Sequence, residues 1–311
     1  MTAGRRSILD RLRPAIVDRL RLTALRAARW GHARGLGHRP GLRGLAALAK
    51  RLLFRGSAAR RHARVAVHGL ELEVPYNLSG DYLLKDHEPE TVALLERALA
   101  PGRVFVDVGA NIGYLTLLAA ARVGPEGLVV AVEPGPDNLH FLRRNLEVNG
   151  FTNVRVVAAA AGACRTEATL HLSPVSTIHS LHAPAEPGAG SSSIAVEQVR
   201  LDELLEAPPD LVKIDVEGAE LEVLAGMTGW LEAGAPPALV VEWNPRALRA
   251  AGVEPGELPR ALERLGYALE LLDPVPVRPG SVERALELLA AGGLPAAWYA
   301  NLHARRASPP A

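Results

Sequence analysis

The chain has 311 residues, 48% hydrophobic and 22% charged, with a net charge of +1, enough for one large globular domain and a smaller element. Its one cysteine, Cys164, excludes an intrachain disulfide and a cysteine-based metal site and fits a reducing compartment. With no run of about 18 apolar residues, no transmembrane helix is expected, and arginines interrupt the N-terminal segment too often for a signal-peptide core.

Charge is divided along the chain. Residues 1–64 hold 17 Arg or Lys against Asp10 and Asp18, a net +15, and the remainder holds 18 basic against 32 acidic residues, a net −14. That split reads as a basic arm joined to an acidic domain. Within the arm, residues 5–30 and 42–54 read as helices with apolar stripes among arginines, separated by a Gly/His/Arg linker at 31–41. This basic helical extension, residues 1–62, would pack on the catalytic domain or on a second subunit, which leaves a homodimer open. Peripheral contact with the inner face of a membrane is a second reading, and a transit peptide a third. A nucleic-acid partner is not expected, and the protein is placed in the cytoplasm.

Val65–Val74 alternates around His68-Gly69 and predicts a β-hairpin. A loop over 75–80 and a helix over His87–Ala98 follow. Strands and helices then alternate: strand Val104–Val108, helix Tyr114–Val123, strand Leu128–Glu133, helix Pro136–Asn149, strand Val154–Ala158. Thr169–Leu172 and Ile194–Val199 read as an inserted hairpin around a Ser/Pro/Gly/His-rich stretch, 173–193, predicted to be mobile. Strand Leu211–Val216, helix Ala219–Met227, strand Leu239–Trp243, helix Pro259–Leu265 and strands Tyr267–Leu272 and Trp298–His303 complete the pattern. Such alternation predicts an α/β fold, a mostly parallel sheet with helices on both faces. The expected division is the extension 1–62, a domain over 63–304 (hairpin and lead-in helix 65–100, catalytic core 101–304) and a disordered tail 305–311.

Ligands in such sheets bind outside the carboxyl ends of the strands. Val106–Leu115, VDVGANIGYL, is a strand, a glycine-rich turn and a helix start. Gly109 and Gly113 allow a sharp turn and close ligand approach. The spacing is Asp-x-Gly-x-x-x-Gly, not the Gly-x-Gly-x-x-Gly of dinucleotide binders, which argues against an NAD-dependent oxidoreductase on the same architecture. The next strand ends in Glu133-Pro134, and Glu133 suits the two hydroxyls of a ribose. The third delivers Ala160-Ala161-Gly162, a slot for a flat base. The last two deliver Asp215-Val216-Glu217-Gly218 and Glu242-Trp243-Asn244-Pro245. With Asp107 balancing an amino group or sulfonium, the set suits S-adenosyl-L-methionine.

DVGANIGYLT with AVEPGPDNLHFLRRNLEVNG resembles the first two strand turns of class I methyltransferases. LDELLEAPPDLVKIDVEGAELEVLAGM, residues 201–227, resembles the hallmark of the FkbM methyltransferase family; HEPETVALLERALAPG, ahead of the glycine turn, resembles the family's lead-in, and LVVEWNP its closing segment. The resemblance covers roughly 65–303 and leaves residues 1–62 outside. It implies a Rossmann-like seven-stranded sheet with an antiparallel last strand, S-adenosyl-L-methionine as donor, and methylation of hydroxyls on sugars, polyketides and other secondary metabolites. It also implies that Asp107, Gly109, Asn111 and Gly113 hold the methionine end, that Glu133-Pro134 hold the ribose, that Ala160 lies near the adenine and that Asp215 lies near the methyl. Where many class I enzymes have Asp or Asn after the third strand, this chain has alanines.

Methyl transfer to an alcohol calls for positioning and a base. Candidate bases are His87, His179, His182, Asp215, Glu217 and Glu242. Asp215, His179 and Glu242 are the catalytic expectation, and Glu217 and Glu220 also suit the first turn of a helix. No metal centre is assigned, although Asp215, Glu242 and Asn244 would suit Mg²⁺. A non-catalytic, membrane-recruited binding protein remains the other alternative. The acceptor itself, a hydroxyl-bearing small molecule or glycan, is not encoded in any motif.

Overall fold

The computed structural model describes residues 62–75, 87–172, 179–182, 192–233, 236 and 238–306. The predicted basic helices of the arm, the loop after Pro75, most of 173–193 and the end of the tail lie outside the described residues. The chain divides into two units, residues 1–66 with 73–87, and residues 67–72 with 88–311. In the first unit, Glu73 is buried and accepts Arg64 Nε at 2.9 Å. The predicted hairpin is present as β1 (His62–Val67) and β2 (Leu70–Pro75), with His68 and Gly69 both at positive φ.

The second unit is built on a seven-stranded sheet. Its strands are β3 (Val104–Val108), β4 (Leu128–Val132), β5 (Val154–Val157), β9 (Leu211–Ile214), β10 (Ala238–Trp243), β11 (Tyr267–Val275) and β12 (Tyr299–Arg306), in the order β11-β12-β10-β9-β3-β4-β5. β12 runs antiparallel to both neighbours, while the pairs β10/β9, β9/β3, β3/β4 and β4/β5 are parallel. This is the topology the resemblance implies. The central strands VFVDV and LVVAV are nearly continuous apolar runs because helices cover both of their faces. β12 continues to Arg306, past the expected domain end at 304. There Arg306 donates to Leu231 O and lies 4.8 Å from the centre of the Tyr267 ring.

The helices are α1 (Pro89–Ala98), α2 (Tyr114–Val123), α3 (Pro136–Asn149), α4 (Glu220–Ala225), α5 (Thr228–Glu232), α6 (Pro245–Ala250), α7 (Glu257–Arg264) and α8 (Val282–Ala290). The helix expected over Ala219–Met227 is α4, which stops at Ala225, and α5, beyond Gly226-Met227, was not expected. α6 and α8 are additions to the expected set. Each carries a side-chain N-cap: Asn244 Oδ1 accepts Ala247 N, and Ser281 Oγ accepts Arg284 N.

The inserted hairpin is β7 (Thr166–Leu172) with β8 (Ser192–Val199), antiparallel as expected. A two-residue strand, β6 (Ala160–Ala161), joins it in parallel with β8. Ala160 therefore sits in a separate three-stranded sheet and not at the tip of β5, which ends at Val157.

Two features fix the strand ends from behind. Trp243 and Trp298 meet edge to face at 5.2 Å and are nearly fully buried. Their indole N–H groups donate to Pro255 O and Val277 O, which ties down the end of β10. At the start of α1, the carboxylate of Asp273 accepts Glu90 N, Thr91 N and Thr91 Oγ1. Asn301 donates to Glu88 and Thr91 beside it.

Candidate active site

The turn between β3 and α2 owes its shape to its neighbours. Gly109 has φ 79°, and a Cβ there would fall 1.8 Å from the carbonyl oxygen of Asp215. Gly113, at φ 92°, begins α2 and would press a Cβ to 2.6 Å from Leu142 Cδ1. Both glycines serve close packing of the turn against β9 and α3. Asn111 is left-handed too, at φ 52°. Its N–H donates to Glu133 Oε2 at 2.8 Å and its Oδ1 accepts Ile112 N.

Glu133, just past β4, is buried and accepts from Asn111 N, Gly135 N and Asn138 Nδ2. Burial pushes its carboxyl up to about 7 against the pull of these donors. A carboxylate has about four acceptor positions, so capacity for a hydroxyl remains.

Asp107 lies behind the turn, buried, with Oδ2 accepting Thr116 Oγ1 at 2.5 Å. Burial raises it to about 6, offset by the charge of Lys213 and the Thr116 hydroxyl. Lys213 pairs in register with Asp107 across β3 and β9. It is 2% exposed and its Nζ lies 2.8 Å from Asp215 Oδ2. The charges of Asp215, Glu88 and Asp107 hold its pKa above the usual lysine value despite burial. Lys213 is not among the site residues expected from the sequence. Its signal was a single cation inside the apolar run LVKI.

Past β9 the chain makes a strained turn, with Glu217 at φ 52° and Gly218 at φ 106°. Burial pushes Glu217 up to about 8, and the negative charges of Asp215 and Glu220 add to it. Glu242, at the end of β10, is held well above the usual carboxylate range by the same causes. One carboxylate oxygen each from Asp215, Glu217 and Glu242 lies within 4.8 Å of the others. Asn244 donates Nδ2 to Glu217 Oε2 at 3.3 Å while its Oδ1 caps α6. Asn244 is thus a capping and bridging residue, and Glu217 takes the place expected for it beside Asp215 and Glu242.

Between these strand ends lies a small cavity, open on one side. Val108, Val132, Ala159, Ala160 and Leu170 give it apolar walls, and Glu133 and Asp215 with Glu217 give it acidic ones. Of the expected cofactor residues, Gly109, Asn111, Glu133, Pro134, Ala160 and Asp215 line it. Asp107 and Gly113 are not among the lining residues; they shape the turn from behind.

Of the expected catalytic residues, Asp215 and His179 line the cavity and Glu242 does not. His179 sits against Gly135, whose added Cβ would meet His179 Cδ2 at 2.9 Å. It therefore lies at the Glu133 end. Burial holds its imidazole below the usual histidine value, against the charge of Asp137. Four residues of the stretch expected to be mobile are anchored here. Ser180 exchanges both backbone hydrogen bonds with His171 and donates Oγ to Glu217 O. His182 Nε2 lies 3.3 Å from Glu222, outside the cavity lining. His87 falls in the first unit.

Comparison with known proteins gives this site its class. A family model for the methyltransferase FkbM domain matches residues 107–269. The chain belongs to the FkbM methyltransferase family. The matched span begins at Asp107 and holds every lining residue of the cavity. Hexuronic acid methyltransferase AglP of Haloferax volcanii is 28% identical over 191 residues, 59% of this chain and 71% of that protein. Methyltransferase 1 of Beauveria bassiana is 28% identical over 145 residues, 39% of this chain and 57% of that protein. A solved methyltransferase FkbM from Methylobacillus flagellatus KT aligns over 74% of this chain and 53% of its own, with 16% identity and a TM-score of 0.40. The chain thus spans about half the length of that FkbM structure. Among the described residues, no helix is long and apolar enough to cross a membrane.

Proposed function

We propose that the chain is an S-adenosyl-L-methionine-dependent O-methyltransferase whose acceptor is a hydroxyl of a sugar or related small molecule. The observation that carries the reading is the arrangement of the cavity: a buried carboxylate with spare acceptor capacity at one end, Glu133, an apolar slot beside it, and the Asp215–Glu217 turn at the other. These fit, in order, a ribose, a flat base and a cationic reacting centre. The AglP relative, a hexuronic acid methyltransferase by name, supports a sugar acceptor.

When bound, S-adenosyl-L-methionine supplies a methyl group on a sulfonium, whose sulfur departs as a neutral thioether while the carbon–oxygen bond forms. The chain's part is to align the acceptor oxygen and receive its proton. Glu133 anchors the ribose end, with Pro134 and the small residues Ala159 and Ala160 beside the base. The Gly109–Asn111 turn frames the amino-acid end, and Asp107 and Gly113 hold that turn in place. Asp215 takes the acceptor's hydroxyl: Lys213 fixes Oδ2, and Oδ1 is left to accept. Glu242 sits outside the cavity lining, so it is not assigned as the base. His179, at the Glu133 end, suits covering the donor better than accepting the proton.

Calorimetric titration with S-adenosylhomocysteine tests the reading. Saturable binding that Glu133→Ala weakens is expected; no detectable heat with folded wild-type protein would sink it.

A further inference from the structure

We propose that Asp215, Glu217 and Glu242 form a binding site for one divalent hard cation of the Mg²⁺ or Mn²⁺ class, open on one side to the acceptor cavity. The three side chains converge from two adjacent strand ends, and their oxygens lie within 4.8 Å of one another. Side-chain shifts of under about 1 Å bring all three within about 2.0–2.6 Å of one ion. Hard anionic oxygens are the donors that such ions prefer. Asp215 and Glu217 line the cavity and are half-buried, so an ion has an entry path and retains open positions.

A second observation points to a missing cation. Glu220, beside the cluster and 1% exposed, has an oxygen, Oε2, with no partner. Its negative charge acts on both Glu217 and Glu242. Glu242 Oε2 is likewise buried and without a partner. Protonation does not resolve this. If Oε2 carried the proton it would need an acceptor, and if Oε1 carried it Oε2 would still need a donor. Among the described residues, the cation in contact with the cluster is Lys213, on Asp215 Oδ2; Arg246 bears on Glu217 through charge alone. The three clustered carboxylates therefore share one ammonium in contact, and buried charges of this kind are paired or coordinate metals. Asn244 is not a ligand here, since its Oδ1 caps α6.

Where the methyltransferase reading holds, the ion sharpens it: Asp215 then acts on the acceptor hydroxyl through the cation, which depresses that hydroxyl's pKa. The binding site itself does not depend on that reading.

The test is titration of the full chain with Mn²⁺, free ion being counted by electron paramagnetic resonance, with S-adenosylhomocysteine calorimetry on the same wild-type sample. One bound Mn²⁺ per chain is expected, displaced by Mg²⁺ and weakened roughly tenfold or more by Glu242→Gln and by Glu217→Gln. No bound Mn²⁺ at millimolar ion, or wild-type affinity in either folded variant, overturns the proposal. If Glu242→Gln does not fold, Glu217→Gln decides alone. S-adenosylhomocysteine binding without Mn²⁺ binding would remove the cation site and leave the proposed function standing; the reverse result would do the opposite.

Discussion

Lys213 and Asp215, two residues apart at the end of β9, form an ion pair of 2.8 Å in which the lysine is almost wholly buried. Lys213 also lies opposite Asp107 and is acted on by Glu88. One ammonium thus anchors the turn after β3, the lead-in to α1 and the acidic end of the cavity. Removing it leaves several carboxylates without a counter-charge. Lys213→Met should cost about 3 kcal/mol of stability, the lower end for a broken buried pair, because Asp215 reaches the cavity. A double-mutant cycle with Asp215→Asn, followed by urea denaturation, should show coupling of about 1–3 kcal/mol. Additive losses would mean that the pair is not the anchor.

The two glycines of the first turn should respond differently to alanine. At Gly109 the new Cβ would meet a backbone carbonyl, that of Asp215, which cannot retreat without moving β9. At Gly113 it would meet the terminal methyl of Leu142, which can rotate. Both substitutions also carry the strain of positive φ, about 1–3 kcal/mol. Gly109→Ala should therefore destabilise by clearly more than Gly113→Ala and weaken S-adenosylhomocysteine binding with it. Equal melting temperatures for the two variants would contradict the packing account.

Much of this site was legible because it follows local rules. The strand, turn and helix of residues 104–123 were bounded to the residue, since an apolar run, two glycines and a helical apolar pattern mark each border. The placement of Glu133 and Asp215 at the cavity followed from their strand ends. What was not legible depended on partners distant in sequence. Asp107 reads as a ligand-facing carboxylate until Thr116 and Lys213 are seen to enclose it. Asp273 caps α1 from 182 residues beyond Thr91, and no local pattern announces that. Ala160 reads as the tip of β5 because its pairing with Gln198 is non-local. α6 and α8 were missed although signals were present: Asn244-Pro245 is a cap with proline in the first turn, and Ser281 precedes an apolar helical pattern.

Glu133→Gln should separate the structural and binding roles of that residue. Its two oxygens face three donors: Asn111 N, Gly135 N and Asn138 Nδ2. An amide would place an NH₂ against at least one of them, leaving buried donors unsatisfied at about 1–3 kcal/mol. The Asn111 turn should loosen as Glu133 lets go, so the melting temperature and S-adenosylhomocysteine affinity should fall together. Loss of stability with unchanged affinity would confine Glu133 to a structural role.

The buried carboxylates also set how stability depends on pH. Burial raises Asp107 to about 6, Glu133 and Glu220 to about 7, Glu217 to about 8 and Glu242 well above its ordinary value. A carboxyl whose folded pKa is raised binds protons more tightly when folded. Its contribution is complete below the unfolded value, near 4 to 4.5, and is lost as pH climbs through the folded value. All five act in the same direction between about pH 4.5 and 8. His179 and His303, lowered by burial, act oppositely, since a histidine kept neutral in the fold gains as pH rises past its ordinary value. They are two groups, less deeply buried, against five. The ligand-free protein should therefore melt at a lower temperature at pH 8 than at pH 5.5, measured at constant ionic strength. Glu242→Gln should flatten the slope by removing one titrating group from it. A melting temperature that rises across this range would show that the acidic cluster is ionised in the fold, and would return the carboxylates to the unfolded range.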